Sequence, residues 1–217
     1  MVSDLQERCV VNGIELAYRH TPGTGSSIVF VSGLGESGAV WDDVIDRLPA
    51  QASVFTYDRA GCGSSGPVDA SAVGEDQSVQ WGADQLPGLL EAASVPGPSV
   101  LVGHSIGGLI VDAFARRWPD QGSGRVLIDT SDPALHTVLD EPKPVLVDGR
   151  NEEGWRISLR ATLQEFEPGP RHSVTTVVIG SAIWRWLRVD DPVPYRPLSL
   201  VELDQRWQRH QLDRAQR

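Results

Sequence analysis

Lysine is almost missing from this chain: of its 19 basic residues only Lys143 is a lysine, and the rest are arginine. Spread along the whole length, that skew reads as genomic composition bias and not as a binding patch. Positive charge is also scarce overall. Twenty-nine acidic residues against 19 basic ones leave a formal net charge of −10, so a basic stripe for a phosphate backbone is excluded and no nucleic-acid partner is expected. Two cysteines, Cys9 and Cys62, are too few for a disulfide framework and lack metal-ligand spacing, so neither a structural bridge nor a metal is expected. No apolar run reaches the length of a membrane span, and the opening MVSDLQERC is not a secretion signal. The expectation is a soluble, cytoplasmic protein with no membrane span. What the chain does have is 217 residues, 40% of them hydrophobic. That suits one domain, with a core burying roughly 70% of the unfolded chain's surface.

Along the chain, apolar runs alternate with helical periodicity. Asn12-Gly13 lies between β-prone residues within Val10–Tyr18, a strong short hairpin signal. Ser27–Ser32 reads as a strand buried on both faces and Ser99–Val102 as another buried strand, while Ser53–Asp58, Arg125–Asp129 and Thr175–Ile179 read as further strands. Between them, helices are predicted around Val40–Leu48, through Val79, Ala83, Leu86 and Leu90 with a kink at Pro87, and through Ile110, Ala113, Phe114 and Trp118. A last amphipathic helix carries Leu200, Leu203 and Trp207. Strands alternating with helices imply an α/β fold, with a mostly parallel sheet covered by helices on both faces. Over residues 132–172 the pattern gives way to Pro133, Pro142, Pro144, Pro168 and Pro170, with one short helix predicted near Trp155–Phe166. This segment is expected to be an insertion into a single domain whose core is residues 1–131 and 173–217. Its apolar residues Trp155, Leu159, Leu163 and Phe166 suit either a pocket wall or plain helix packing.

The most specific segment is Val100–Gly108, which reads VLVGHSIGG and contains Gly-x-Ser-x-Gly as Gly103-His104-Ser105-Ile106-Gly107. Set between a strand and a helix, this pattern makes a sharp turn that projects the serine oxygen into a cleft. The glycines let strand and helix approach without side-chain collision, and the helix N-terminus favours negative charge developing nearby. Ser105 is therefore the candidate nucleophile.

A second glycine turn follows the first buried strand. Gly33–Gly38 satisfies Gly-x-Gly-x-x-Gly, and Asp58 closes the next strand 20 residues later, which imitates a dinucleotide-binding fingerprint. The same exposed backbone also suits an oxyanion hole, the site of N–H donors that hold a negatively charged reaction intermediate. The hairpin ahead of it and the serine turn after it favour that second reading, with backbone donors at Leu34 and Ile106 and no cofactor.

Three segments in this order, SGLGES, YDRAGCGSS and GHSIGG, resemble the α/β-hydrolase family, and so do the hairpin before them and RVLIDTSDP after them. The resemblance implies a sheet of up to eight strands, a lid over residues 132–172, and hydrolysis of an ester or similar bond in a small molecule through Ser105. It also implies a triad in the order serine, acid, histidine. Asp129, at the end of RVLID, is the favoured acid, with Asp132 and Asp191 as alternatives. A turn-capping role at Thr130 or Ser131 is the plainer reading of Asp129. The base stays unknown. His20 and His172 fall at the opposite rim, His104 is expected in packing, and His210 is expected to be structural on the last helix. Only His136, at the start of the insertion, is near the catalytic edge. Against the family pattern the chain looks truncated by one strand, one helix and one histidine. An uncovered edge at Thr175–Ile179 would then favour self-association. A catalytically inactive remnant that keeps a small-molecule pocket is the alternative function.

Overall fold

A computed structural model of the chain describes residues 6–69, 77–140, 145–149, 154–165, 174–183, 185–188 and 195–216. The chain opens with β1 (Glu7–Val11) and β2 (Ile14–Thr21), joined at Asn12-Gly13. Both turn residues have positive φ, 50° and 82°, the backbone that a two-residue hairpin of matching twist requires. There follow β3 (Thr24–Val31), a 3₁₀ turn (Gly38–Trp41) running into α1 (Asp42–Ile45), and β4 (Ala52–Tyr57). The helical stretch around Pro87 is two helices, α2 (Val79–Ala83) and α3 (Leu86–Ala92). Pro87 sits in the first turn of α3, where its missing N–H costs nothing. Then come β5 (Ser99–His104), α4 (Ile106–Arg117), β6 (Gly122–Ile128), β7 (Val145–Asp148), β8 (Trp155–Ser158), α5 (Leu159–Glu165), β9 (Thr175–Ile179) and α6 (Leu200–Ala215).

Among the described residues seven strands form one sheet, in the order β1-β2-β4-β3-β5-β6-β9. The first two run antiparallel to their neighbours and the rest are parallel. The parallel registers pair Val31 with Gly103, His104 with Ile128, and Ile128 with Ile179. The loops after β3, β5, β6 and β9 therefore leave the sheet side by side. Side chains alternate between its two faces. Val29, Val31, Phe55, Leu101 and Leu127 meet α2, α3 and α4 in the larger core. Phe30, Val54 and Val102 meet Trp41 and Ile45 on the other face, where Val126 and Ile128 are only partly covered.

The segment predicted as a helix from Trp155 is a strand first. Trp155 and Ile157 both point inward at strand spacing and join the larger core, at 1% and 0% exposure. The β8 strand pairs with β7 as an antiparallel hairpin. The helix begins only at Leu159 because Ser158 caps it, its Oγ accepting the Ala161 N–H at 3.1 Å. Phe166 lies outside the described residues. At the other end of the sheet, β9 has β6 as its single partner among the described residues, and Val177 and Ile179 are each 49% exposed. No helix among the described residues is long and apolar enough to cross a membrane.

Candidate active site

Ser105 occupies the turn between β5 and α4 with φ 53° and ψ −119°, a strained backbone that non-glycine residues rarely adopt. The glycines around it are steric necessities. A Cβ at Gly103 would stand 2.6 Å from Gly107 O, one at Gly107 2.3 Å from Val31 O, and one at Gly108 2.3 Å from Thr130 Oγ1. Helix α4 thus begins in contact with the root of the loop after β3. The Ser105 hydroxyl shares a hydrogen bond with Ser131 Oγ at 3.1 Å. Ser131 N–H in turn donates to Ser105 O.

The loop after β3 is held donor by donor. Gly33 N–H donates to Glu36 Oε2 at 2.7 Å and Gly35 N–H to Asp148 Oδ1 at 2.7 Å. Between them, Leu34 N–H has no acceptor among the described residues. Ile106 is the first residue of α4, where a helix leaves its N–H groups unpaired. Neither the Leu34 N–H nor the Ile106 N–H donates to an acceptor among the described residues. The same bonds argue against a dinucleotide at Gly33–Gly38. Gly33, Gly35 and Gly38 all donate to carboxylates, Gly38 to Asp58 Oδ1, so a pyrophosphate there would meet Glu36, Asp148 and Asp58. Asp58 is also taken by Ser64 N–H and Gln6.

Asp129 directly follows β6 and has φ 46°. It caps neither Thr130 nor Ser131. Its Oδ1 accepts the Ser181 N–H at 3.0 Å and the Trp207 indole N–H at 2.6 Å, and Arg185 contacts Oδ2. None of these partners is a histidine. The alternative acid Asp132 has one: His210 Nδ1 lies 3.6 Å from Asp132 Oδ1. His210 Nε2 is occupied by Arg214 Nε at 3.1 Å, and Arg214 continues to Asp112, which also holds Arg125 at 2.6 Å. Helix α6 is thereby pinned across the edge of the sheet, and His210 reaches that edge, which its helical setting in the sequence did not suggest. His104 is half-buried, edge-on to Trp41 and 3.2 Å from Glu36. His20 meets Ala93 O at the opposite rim. His136 lies on the 3₁₀ turn Leu135–Thr137 that follows Asp132. Asp191 and His172 lie outside the described residues. No group of three or more His, Cys, Asp or Glu among the described residues is placed to hold a metal.

Beneath the loop after β3 lies a buried ion pair. Arg59 Nε and Nη2 donate to Asp148 at 2.6 and 2.8 Å, with 3% and 0% side-chain exposure. Burial pushes the Asp148 carboxyl up, but the Arg59 charge and its hydrogen bonds, the Gly35 N–H and the Cys62 thiol hold it below the ordinary aspartate range. Burial and the nearby Asp148 push the Cys62 thiol up to about 12, which leaves it unreactive as a nucleophile.

Order, spacing and local geometry are now those of one family, and its profile, the alpha/beta hydrolase family, matches residues 28–216. The chain belongs to the alpha/beta hydrolase family. Among the relatives of this hydrolase chain, a pimeloyl-[acyl-carrier protein] methyl ester esterase of Aliivibrio salmonicida is 30% identical over 161 residues, covering 74% of this chain and 52% of that protein. A cis-3-alkyl-4-alkyloxetan-2-one decarboxylase of Shewanella oneidensis is 29% identical over 62% of this chain and 41% of its own length. Among solved structures, a thermophilic esterase from Thermogutta terrifontis superposes with a TM-score of 0.52 at 28% identity, over 61% of this chain and 50% of that one. The chain spans about half the length of the curated relatives it matches.

Proposed function

We propose that this α/β-hydrolase chain carries the nucleophile of a carboxylic-ester hydrolase acting on a small molecule without a cofactor. Ser105 Oγ adds to the ester carbonyl carbon as its proton passes to a general base that returns it to the departing alcohol, and the N–H groups of Leu34 and Ile106 receive the resulting oxyanion. Collapse of that intermediate expels the alcohol and leaves an acyl-enzyme, which water then hydrolyses. Asp129 is the proposed acid, with Asp132 and Asp191 behind it. The base is unassigned, and His136 is the histidine proposed from its place after Asp132. The observation that carries the reading is the strained Ser105 turn packed against the root of a loop in which the Leu34 N–H has no acceptor among the described residues. The same proposal sets the protein in the cytoplasm, on the support of two unbridged cysteines.

A second reading, a small-molecule-binding remnant on the same fold, is favoured by one fact: the Ser105 hydroxyl partners Ser131 and not an imidazole. Loss of a triad member typically leaves only about 10³–10⁴-fold acceleration over water. A fluorophosphonate probe and a short-chain nitrophenyl ester separate the two. Labelling and turnover that vanish in Ser105→Ala support the hydrolase. A folded chain that neither labels nor turns over supports the remnant. His136→Ala tests the base directly, since a true base would take with it all but that residual rate.

We also infer that the chain self-associates through β9, supported by its single partner strand among the described residues and the exposure of Val177 and Ile179. Ile179→Lys places a charge on that edge. Light scattering of the wild type should show a mass that rises with concentration, and the variant should stay monomeric at the same concentrations.

A further inference from the structure

The loop that offers Leu34 N–H is gripped from below by two residues, Arg59 and, more than a hundred positions later, Asp148. Arg59 Nη1 donates to Ser32 O at 2.7 Å and Nη2 to Gly33 O at 2.6 Å. The guanidinium is itself held by Asp148 of β7, whose Oδ1 also takes the Gly35 N–H. One peptide plane contains both Gly33 C=O and Leu34 N–H, and in a trans peptide the two point in opposite directions. Drawing Gly33 O down onto Arg59 therefore turns Leu34 N–H away from it. The next plane is set in the same way, because Gly35 N–H is drawn onto Asp148. The β7–β8 hairpin presses close enough to keep this arrangement: a Cβ on Gly149 would stand 2.8 Å from Gly61 O, within the loop that carries Arg59.

We propose that Asp148 and Arg59 are positioning residues that aim the Leu34 amide at the oxyanion, so that the hairpin inserted after β6 sets catalytic rate without touching substrate. This deepens the hydrolase reading and rests on it for its kinetic consequence. Its structural part, the orientation of the loop, stands by itself. The pair is buried and near-dry, so removing one member strands a charge and threatens folding. The double variant Arg59→Met/Asp148→Leu replaces both with apolar groups, and Asp148→Asn keeps an acceptor for Gly35 while removing the charge.

In the full 217-residue chain, kcat and KM for a nitrophenyl ester are measured beside amide hydrogen exchange of the Ser32–Glu36 segment. Circular dichroism establishes that each variant is folded. Loss of one oxyanion donor costs about 10²–10³ in kcat. The folded double variant should lose about 10²-fold in kcat with KM within about twofold, and its loop amides should exchange at least about tenfold faster. Asp148→Asn should fall between it and the wild type. A merely structural role would lower the melting temperature and leave kcat per folded molecule alone. Unchanged exchange in the double variant overturns the inference whatever the activity. Faster exchange with unchanged kcat overturns the positioning role. If the wild type hydrolyses nothing while exchange still accelerates, the loop coupling stands and the hydrolase reading falls.

Discussion

Ser105 and Asp129 are two non-glycine residues with positive φ at the ends of neighbouring strands. Strain of this kind, of order 1–3 kcal/mol per residue, persists only where the surroundings over-determine it. At Ser105 the surroundings are glycines, and the sequence pattern already announces them. Gly107 is the tightest: an added Cβ would lie 2.3 Å from Val31 O and 2.5 Å from Ser32 O, both backbone atoms that cannot swing aside. Gly107→Ala should lower stability by about 3 kcal/mol, the upper end of the overpacking range, read as a fall in urea midpoint at unchanged slope. The partners of these residues were not legible. Ser131 comes to Ser105 from 26 positions away and Trp207 to Asp129 from 78. No local pattern ties either pair together.

Among the elements, the strands and the elbow helix fall where apolar runs and helical spacing put them. The exceptions lie within residues 132–172, where β7 has no counterpart in the sequence reading and β8 takes the place of the first part of an expected helix. A helix over Trp155–Phe166 fits the apolar spacing, but Trp155 and Ile157 also alternate at strand period, and Ser158 is a capping residue. Packing decided between the two: Trp155 lies 5.0 Å from Trp81 between ring centroids and against Gly82, in the same core as Ile110. The hairpin is therefore built into the domain. Trp155→Ala should cost about 3–5 kcal/mol, as for large-to-small changes in a close-packed core. Thermal and urea unfolding measure it, and a loss below about 1 kcal/mol would match the surface values expected of a detached lid.

For the molecule as a whole, the Arg59–Asp148 pair joins the β7–β8 hairpin to the loops at the sheet edge. Its pH dependence has a definite sign. Asp148 is held below its ordinary value of 3.8 in the folded chain. Its contribution is therefore full above that value and is lost as pH falls through the lower folded one. Wild-type protein should lose stability in the step from pH 6 to pH 3 by more than Arg59→Met/Asp148→Leu, which has no charge there to lose. Urea denaturation of both at the two pH values checks this. Equal losses would show that other carboxylates govern acid unfolding.

The sequence by itself determined the fold class, the succession of strands and helices up to the elbow, and the strand-to-helix turn at Ser105. These depend on short-range signals: glycine spacing, buried runs and the order of motifs along the chain. Only the tertiary structure decided that Asp129 is bound by an indole and a guanidinium, that His210 stands by Asp132, and that Asp148 holds the loop beneath Leu34. Each of those is a contact between charged or polar side chains far apart in sequence. Their pairing follows from burial, which makes an unpartnered donor or carboxylate costly and so favours whatever partner the fold brings near.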